Sequence, residues 1–213
     1  LCMNEIIISG ISKTIKSTEI LRNIDLKLQG GKIYGLYGSN GTGKTMLLRA
    51  IAGLIHIDSG SIVINGKQLH KDSDFPESIG VIIENPEFWD GYTGFENLKM
   101  LASIKKKIKD QAIKDTLERV GLDPSDKKTV KKYSLGMKQK LGIAQAIMER
   151  PDIILLDEPT NALDKKSTEN IRGIIAEEAA RGAIVVIASH IEEDLDICDI
   201  RYEMVEGKIS YEE

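Results

Sequence analysis

Eight consecutive residues, Gly38-Ser39-Asn40-Gly41-Thr42-Gly43-Lys44-Thr45, follow the pattern G-x-x-x-x-G-K-[ST]. Small residues there let backbone N–H groups turn inward around phosphate oxygens, and a helix opening at the loop's end adds the positive end of its dipole. Lys44 would reach the β- and γ-phosphates of a nucleotide, and the Thr45 hydroxyl would ligate Mg²⁺. Further along, the apolar run Ile153-Ile154-Leu155-Leu156 ends in Asp157-Glu158. Two acids at the mouth of a buried strand are costly unless a cation or a hydrogen-bond donor meets them. Asp157 is therefore the candidate metal carboxylate, and Glu158 the candidate base for a water aimed at the γ-phosphate. His190, reached through Ser189 from the run 184–188, is either structural or a γ-phosphate partner, since a neutral imidazole can donate a hydrogen bond and sense charge.

The elements that must position these groups read as α/β. Strand character is expected at 6–8, 24–28, 32–37, 61–64, 67–69, 79–83, 153–156 and 183–188, from branched apolar runs and alternation. Asn65-Gly66 predicts a hairpin, and the alternation about Glu206-Gly207 a second one. Helices are expected at 46–52, at 136–149 ended by Pro151, and at 166–180. From Phe95 to Val120 the apolar residues recur in steps of three and four, which predicts one amphipathic helix ended by Gly121 and Pro124. Strand, helix, strand over 153–188 makes a βαβ unit with parallel strands. The expected fold is a P-loop α/β domain with a mixed β core (1–87 and 151–213), an early antiparallel β part, and a helical insert at 88–150.

Composition removes other classes. The 213 residues fit one domain, with 41% hydrophobic and 29% charged residues, so wholesale disorder is excluded. A formal net charge of −4 argues against nucleic acid as partner. Lys105, Lys106, Lys107 and Lys109 read as the solvated side of a helix. Two cysteines, Cys2 and Cys198, stand far apart, which excludes a disulfide framework or zinc site and suits a reducing cytosol. No apolar run reaches membrane-spanning length. Leu1-Cys2-Met3-Asn4-Glu5 lacks the regions of a secretory signal, and Met3 reads as an initiator. Work at a membrane would require another chain to bring this one there.

Tyr133-Ser134-Leu135-Gly136-Met137-Lys138-Gln139 resembles the LSGGQ signature of ATP-binding cassette (ABC) ATPases, with Ser134 and Gly136 matching and Leu135 and Met137 departing from it. The P-loop, Asp157-Glu158, Asn161-Ala162-Leu163-Asp164 (similar to the D-loop) and His190 (similar to the switch histidine) follow in family order. The resemblance runs from about Glu5 to Tyr211. It implies an ATPase using ATP and Mg²⁺, in which two subunits pair head to tail, as a homodimer or with a paired ATPase subunit. Each ATP is then held by the P-loop of one chain and by Ser134 and Gly136 of the other. It also implies transmembrane permease partners and a location at the inner face of the cell membrane. Glu84 stands where the family has a glutamine near Mg²⁺ and is thus a third candidate metal ligand. Ile15 stands where the family stacks an aromatic on adenine, which would loosen base discrimination and let GTP compete. The SLGMK variant together with Glu84 resembles the ATP-binding subunits of exporters for lantibiotics and bacitracin-like peptides. Phe88 and Trp89, if exposed, would be anchors for the permease; the alternative is that they pack the insert onto the core.

Two other classes remain. A soluble ABC protein of translation or DNA repair would carry a second cassette, coiled-coil insertions or basic extensions, none of which this chain has. A P-loop kinase for a small molecule would need an acceptor pocket and clustered lid arginines, whereas the arginines here are scattered.

Overall fold

The computed structural model describes residues 4–212, so the expectations for Cys2 and Met3 lie outside the described residues. Two sheets form the framework. The first is antiparallel, with β1 (Glu5–Ile15), β2 (Thr18–Gln29), β4 (Ser59–Ile64) and β5 (Lys67–Gln68) in the order β2-β1-β4-β5. The second has six strands: β3 (Lys32–Tyr37), β6 (Ile79–Ile82), β7 (Ile153–Asp157), β8 (Ile184–Ser189), β9 (Ile200–Val205) and β10 (Lys208–Glu212). Their order is β10-β9-β3-β8-β7-β6, all neighbours parallel except the terminal hairpin β9–β10.

The parallel strands are apolar on both faces because both faces are covered. Ile154, Leu156, Val185 and Ile187 enter a core shared with the helical insert. Their neighbours Ile153, Leu155, Ile184 and Val186 enter a second core shared with the antiparallel sheet and α1 (Lys44–Ile51). The period of two thus splits one short strand between two cores. β8 is buried along its whole length.

The insert holds α2 (Gly94–Lys105), α3 (Asp110–Arg119) and α4 (Leu135–Ile147), and α5 (Lys165–Ala180) joins β7 to β8. A capping box starts α2: Thr93 Oγ1 accepts from the Glu96 N–H, and Glu96 in return accepts from the Thr93 N–H. Asp164 caps α5 by accepting from the Ser167 N–H.

Three expectations change. The single helix over 95–120 is two helices, because the chain turns at Lys106, which takes φ 54° at the end of α2. The turn falls within the lysine run 105–107, although Ile108 beyond it still packs against the core. β1 and β2 are longer than their apolar runs, since irregular register between Ile8 and Thr14 lets polar residues stay within the ladder. The strand after Asn65-Gly66 is only two residues long, so that hairpin is shorter than expected.

Candidate functional site

The cradle lies at the carboxyl end of β3, where the sheet feeds α1. Gly43, at the N-terminus of α1, has φ 108°, and a Cβ there would lie 2.7 Å from the Ile20 carbonyl oxygen. Only glycine fits. The polar groups of the cradle bond one another. Lys44 Nζ donates to the carbonyls of Gly38 (2.5 Å) and Ser39 (3.0 Å), and Thr42 Oγ1 donates to the Ser39 carbonyl. Lys44 is buried, and that burial lowers its pKa, partly offset by the charges of Glu158 and Asp157. The terminal hairpin braces the loop from behind, since the Gly207 N–H donates to the Thr42 carbonyl.

Thr45 Oγ1 donates to Asp157 Oδ2 at 2.7 Å. Asp157 is buried at the end of β7, and desolvation raises its pKa first of all. The Thr45 hydrogen bond lowers it, the Glu158 charge raises it, and a Glu84 backbone hydrogen bond and Lys44 lower it again. A buried carboxylate beside a hydroxyl, both hard oxygens, is a fit donor pair for Mg²⁺. Among the described residues no group of three or more His, Cys, Asp or Glu is arranged to hold a metal. Mg²⁺ suits such a site, because it takes one or two protein oxygens and completes its shell with phosphate and water.

Glu158 follows at φ 49°, a left-handed backbone that non-glycine residues adopt at a cost. Three donors from the end of β8 hold its carboxylate. The His190 N–H and His190 Nδ1 meet Oε1 at 3.0 and 2.7 Å, and Ser189 Oγ meets Oε2 at 3.0 Å. Gln139, on the helix that Ser134 opens, donates to the carbonyls of Glu158 and Pro159, both at 3.1 Å. His190 and Glu158 thus form one unit, with the histidine half exposed. The cavity, about 320 Å³, is lined by Ile20, Asn40, Gly41, Gly43, Lys44, Thr45, Met46, Asp157 and Glu158.

Four candidates sit elsewhere. Ile15 ends β1 exposed and lies outside this lining; the aliphatic side chain that lines it is Ile20. Glu84 directs its carboxylate to Arg49 Nη2 at 2.8 Å. Ser134 is the N-cap of α4, where its oxygen accepts from the Met137 N–H at 3.2 Å and its own proton stays free. Ser134 is exposed, Gly136 half-buried, and neither lines the cavity. Phe88 packs against the core, whereas Trp89 and Tyr92 are exposed. Sequence reasoning missed Ile20, Met46, Ser189 and Arg49. The alternation in β2 places Ile20 on the loop's side of the sheet, but nothing local reveals Arg49's partner.

Comparison with known proteins gives the family and the fold. Residues 21–161 match the family model described as ABC transporter. The chain is 52% identical over 205 residues to the uncharacterized ABC transporter ATP-binding protein YybJ of Bacillus subtilis, covering 96% of this chain and 94% of that one. It is 34% identical over 206 residues to the lantibiotic transport ATP-binding protein SrtF of Streptococcus pyogenes, covering 96% and 89%. The fold superposes with TM-score 0.88 and 22% identity on a dimeric ATP-binding cassette, MJ0796, in a post-hydrolysis state with ADP and Pi, over 98% of this chain and 97% of that one. The chain therefore belongs to the ABC transporter family and is an ATP-binding subunit that hydrolyses ATP.

Proposed function

We propose that two ATPase subunits of this kind close on each other across ATP and drive a membrane permease that exports peptide antibiotics of the lantibiotic or bacitracin type. The observation that carries the pairing is the free hydroxyl proton of Ser134, exposed at the start of α4 and outside the lining of its own chain's cavity. A γ-phosphate held by one cradle alone would remain half solvated. A second chain offering Ser134 and the N-terminus of α4 would complete its shell and exclude water.

In this reading Gly38 to Gly43 wrap the phosphates with backbone N–H groups, and Lys44 exchanges its carbonyl partners for phosphate oxygens. Thr45 and Asp157 hold Mg²⁺, which when bound offsets phosphate charge. Glu158 takes a proton from the water that attacks the γ-phosphorus, and the bond to the β-bridging oxygen breaks to give ADP and phosphate. His190 fixes the Glu158 carboxylate and turns its exposed edge to the γ-phosphate. Ile20 offers the base an aliphatic surface, with Ile15 at the rim beyond it.

The segment 88–150 carries both Ser134 and the exposed Trp89, so we read it as a subdomain between nucleotide and permease, with 1–87 and 151–213 as the core. Trp89 and Tyr92 suit an apolar permease segment. Docking there would keep the chain at the inner face of the membrane; among the described residues no helix is long and apolar enough to cross it. The name of SrtF, the SLGMK variant and Glu84 support the peptide substrate.

Glu158→Gln tests the pairing. The variant should bind ATP, lose turnover by about 10²- to 10⁴-fold, and run as a dimer with ATP but as a monomer without it in light scattering. Unchanged hydrolysis would remove Glu158 from its role, and an ATP-independent mass would remove the pairing. For the substrate, cells expressing the chain with the permease encoded beside it should resist lantibiotics; unchanged sensitivity would overturn that part alone.

A further inference from the structure

Glu84 follows β6 at φ 62° and meets Arg49 at 2.8 Å. Arg49 lies four residues after Thr45 on α1, so the two share a helix face, one turn apart. β6 meanwhile pairs in parallel with β7, Ile82 opposite Leu156, which brings Glu84 beside Asp157, the partner of Thr45. The carboxylate of Glu84 is therefore tethered beside the Thr45–Asp157 pair yet held one helical turn behind it. Both partners are substantially exposed, with 33% and 64% of their side chains accessible. An exposed pair contributes about 0–1 kcal/mol to stability, too little to explain the arrangement by folding. Its larger effect is to decide where a mobile negative charge sits relative to the phosphates.

We propose that Arg49 is a positioning residue that competes with the metal for Glu84, holding that carboxylate off the Thr45–Asp157 position until nucleotide and metal arrive. The proposal rests on the reading of Thr45 and Asp157 as the metal-holding pair. A glutamine at 84 could bond Arg49 only through a neutral amide oxygen, so glutamate turns a weak hydrogen bond into a charge-dependent restraint. The strength of the restraint sets its consequence: removing Arg49 releases Glu84 to the metal and tightens metal binding by no more than the ion pair is worth.

Mn²⁺ titrated against the chain and a non-hydrolysable ATP analogue, with free Mn²⁺ read by electron paramagnetic resonance, reports this without any turnover. Arg49→Met should tighten Mn²⁺ binding by up to about fivefold. The gain should vanish in a Glu84→Gln background, and Arg49→Lys should behave as the unsubstituted chain. Equal gains with and without Glu84, or no gain, would overturn the role of Arg49. If Arg49→Met does not fold, Arg49→Gln gives the same comparison. Asp157→Asn separates the two levels. If it leaves Mn²⁺ affinity unchanged, the metal-holding pair itself is wrong and the proposal falls with it; a large loss keeps that pair and leaves the Arg49 series to decide.

Discussion

Ser189 Oγ lies 3.0 Å from both Glu158 Oε2 and Asp194 Oδ2, yet a hydroxyl has one proton to give. It is fully buried and also accepts from the Ile191 N–H, so its oxygen sits between two carboxylates and cannot turn to water. Ser189→Ala would remove the single proton for which the two acids compete and should cost about 1–3 kcal/mol in urea unfolding, with slower turnover because Glu158 loses one of its three neighbours. A change under about 0.5 kcal/mol, the scale of an ordinary surface substitution, would show the serine to be idle. Asp157 carries the opposite balance. Burial raises its pKa in the fold, so its contribution to stability is fully present below the usual carboxylate value and is lost as pH rises through the raised one. At neutral pH the nucleotide-free chain therefore bears a penalty that a cation relieves. Asp157→Asn keeps an acceptor for Thr45 and should raise Tm by about 2–4 °C near pH 7, with the gain shrinking in acid. A lower Tm at pH 7, or a gain that grows as pH falls, would contradict this. Burying the Asp157 carboxylate thus weakens the fold at neutral pH.

At the scale of elements, the closest approach is between β6 and α4. A Cβ on Gly80 would lie 1.8 Å from the Ala146 carbonyl oxygen, a backbone atom that cannot swing aside. Gly80→Ala should separate strand from helix and cost about 3 kcal/mol in unfolding, while an alanine equivalent at the exposed Gly173, where nothing lies within 4 Å, should not destabilise. What could be read beforehand follows the same division between local and non-local causes. The loop 38–45 and the strand ending at Asp157 were legible because each is specified by residues next to one another. The break between α2 and α3 was not, because apolar spacing continues across Lys106 while the backbone turns there. Ile20 and Ile15 sit on paired strands with irregular register, so choosing between them required knowing where the antiparallel sheet meets the loop. The Arg49–Glu84 pair joins positions 35 residues apart, on elements whose meeting depends on the order of the parallel sheet.

The whole molecule is asymmetric in what it offers. One region holds the loop 38–45 with Asp157 and Glu158; another holds Ser134 and the exposed Leu135 at the start of α4. Head-to-tail pairing predicts a particular complementation. Lys44→Ala and Ser134→Glu chains, each inactive alone, should regain about one quarter of full activity when mixed in equal amounts, since half the dimers are mixed and each mixed dimer has one intact site of two. No recovery would mean that each chain works within itself. Within the insert, Asn97 is fully buried and grips the turn before α2 at both ends: its Oδ1 accepts from the Trp89 N–H, while its Nδ2 donates to the carbonyls of Trp89 (3.1 Å) and Thr93 (2.9 Å). A turn bound to its own helix in this way has no slack. The exposed indole is thereby held in register with α2, so a displacement of Trp89 must carry that helix with it.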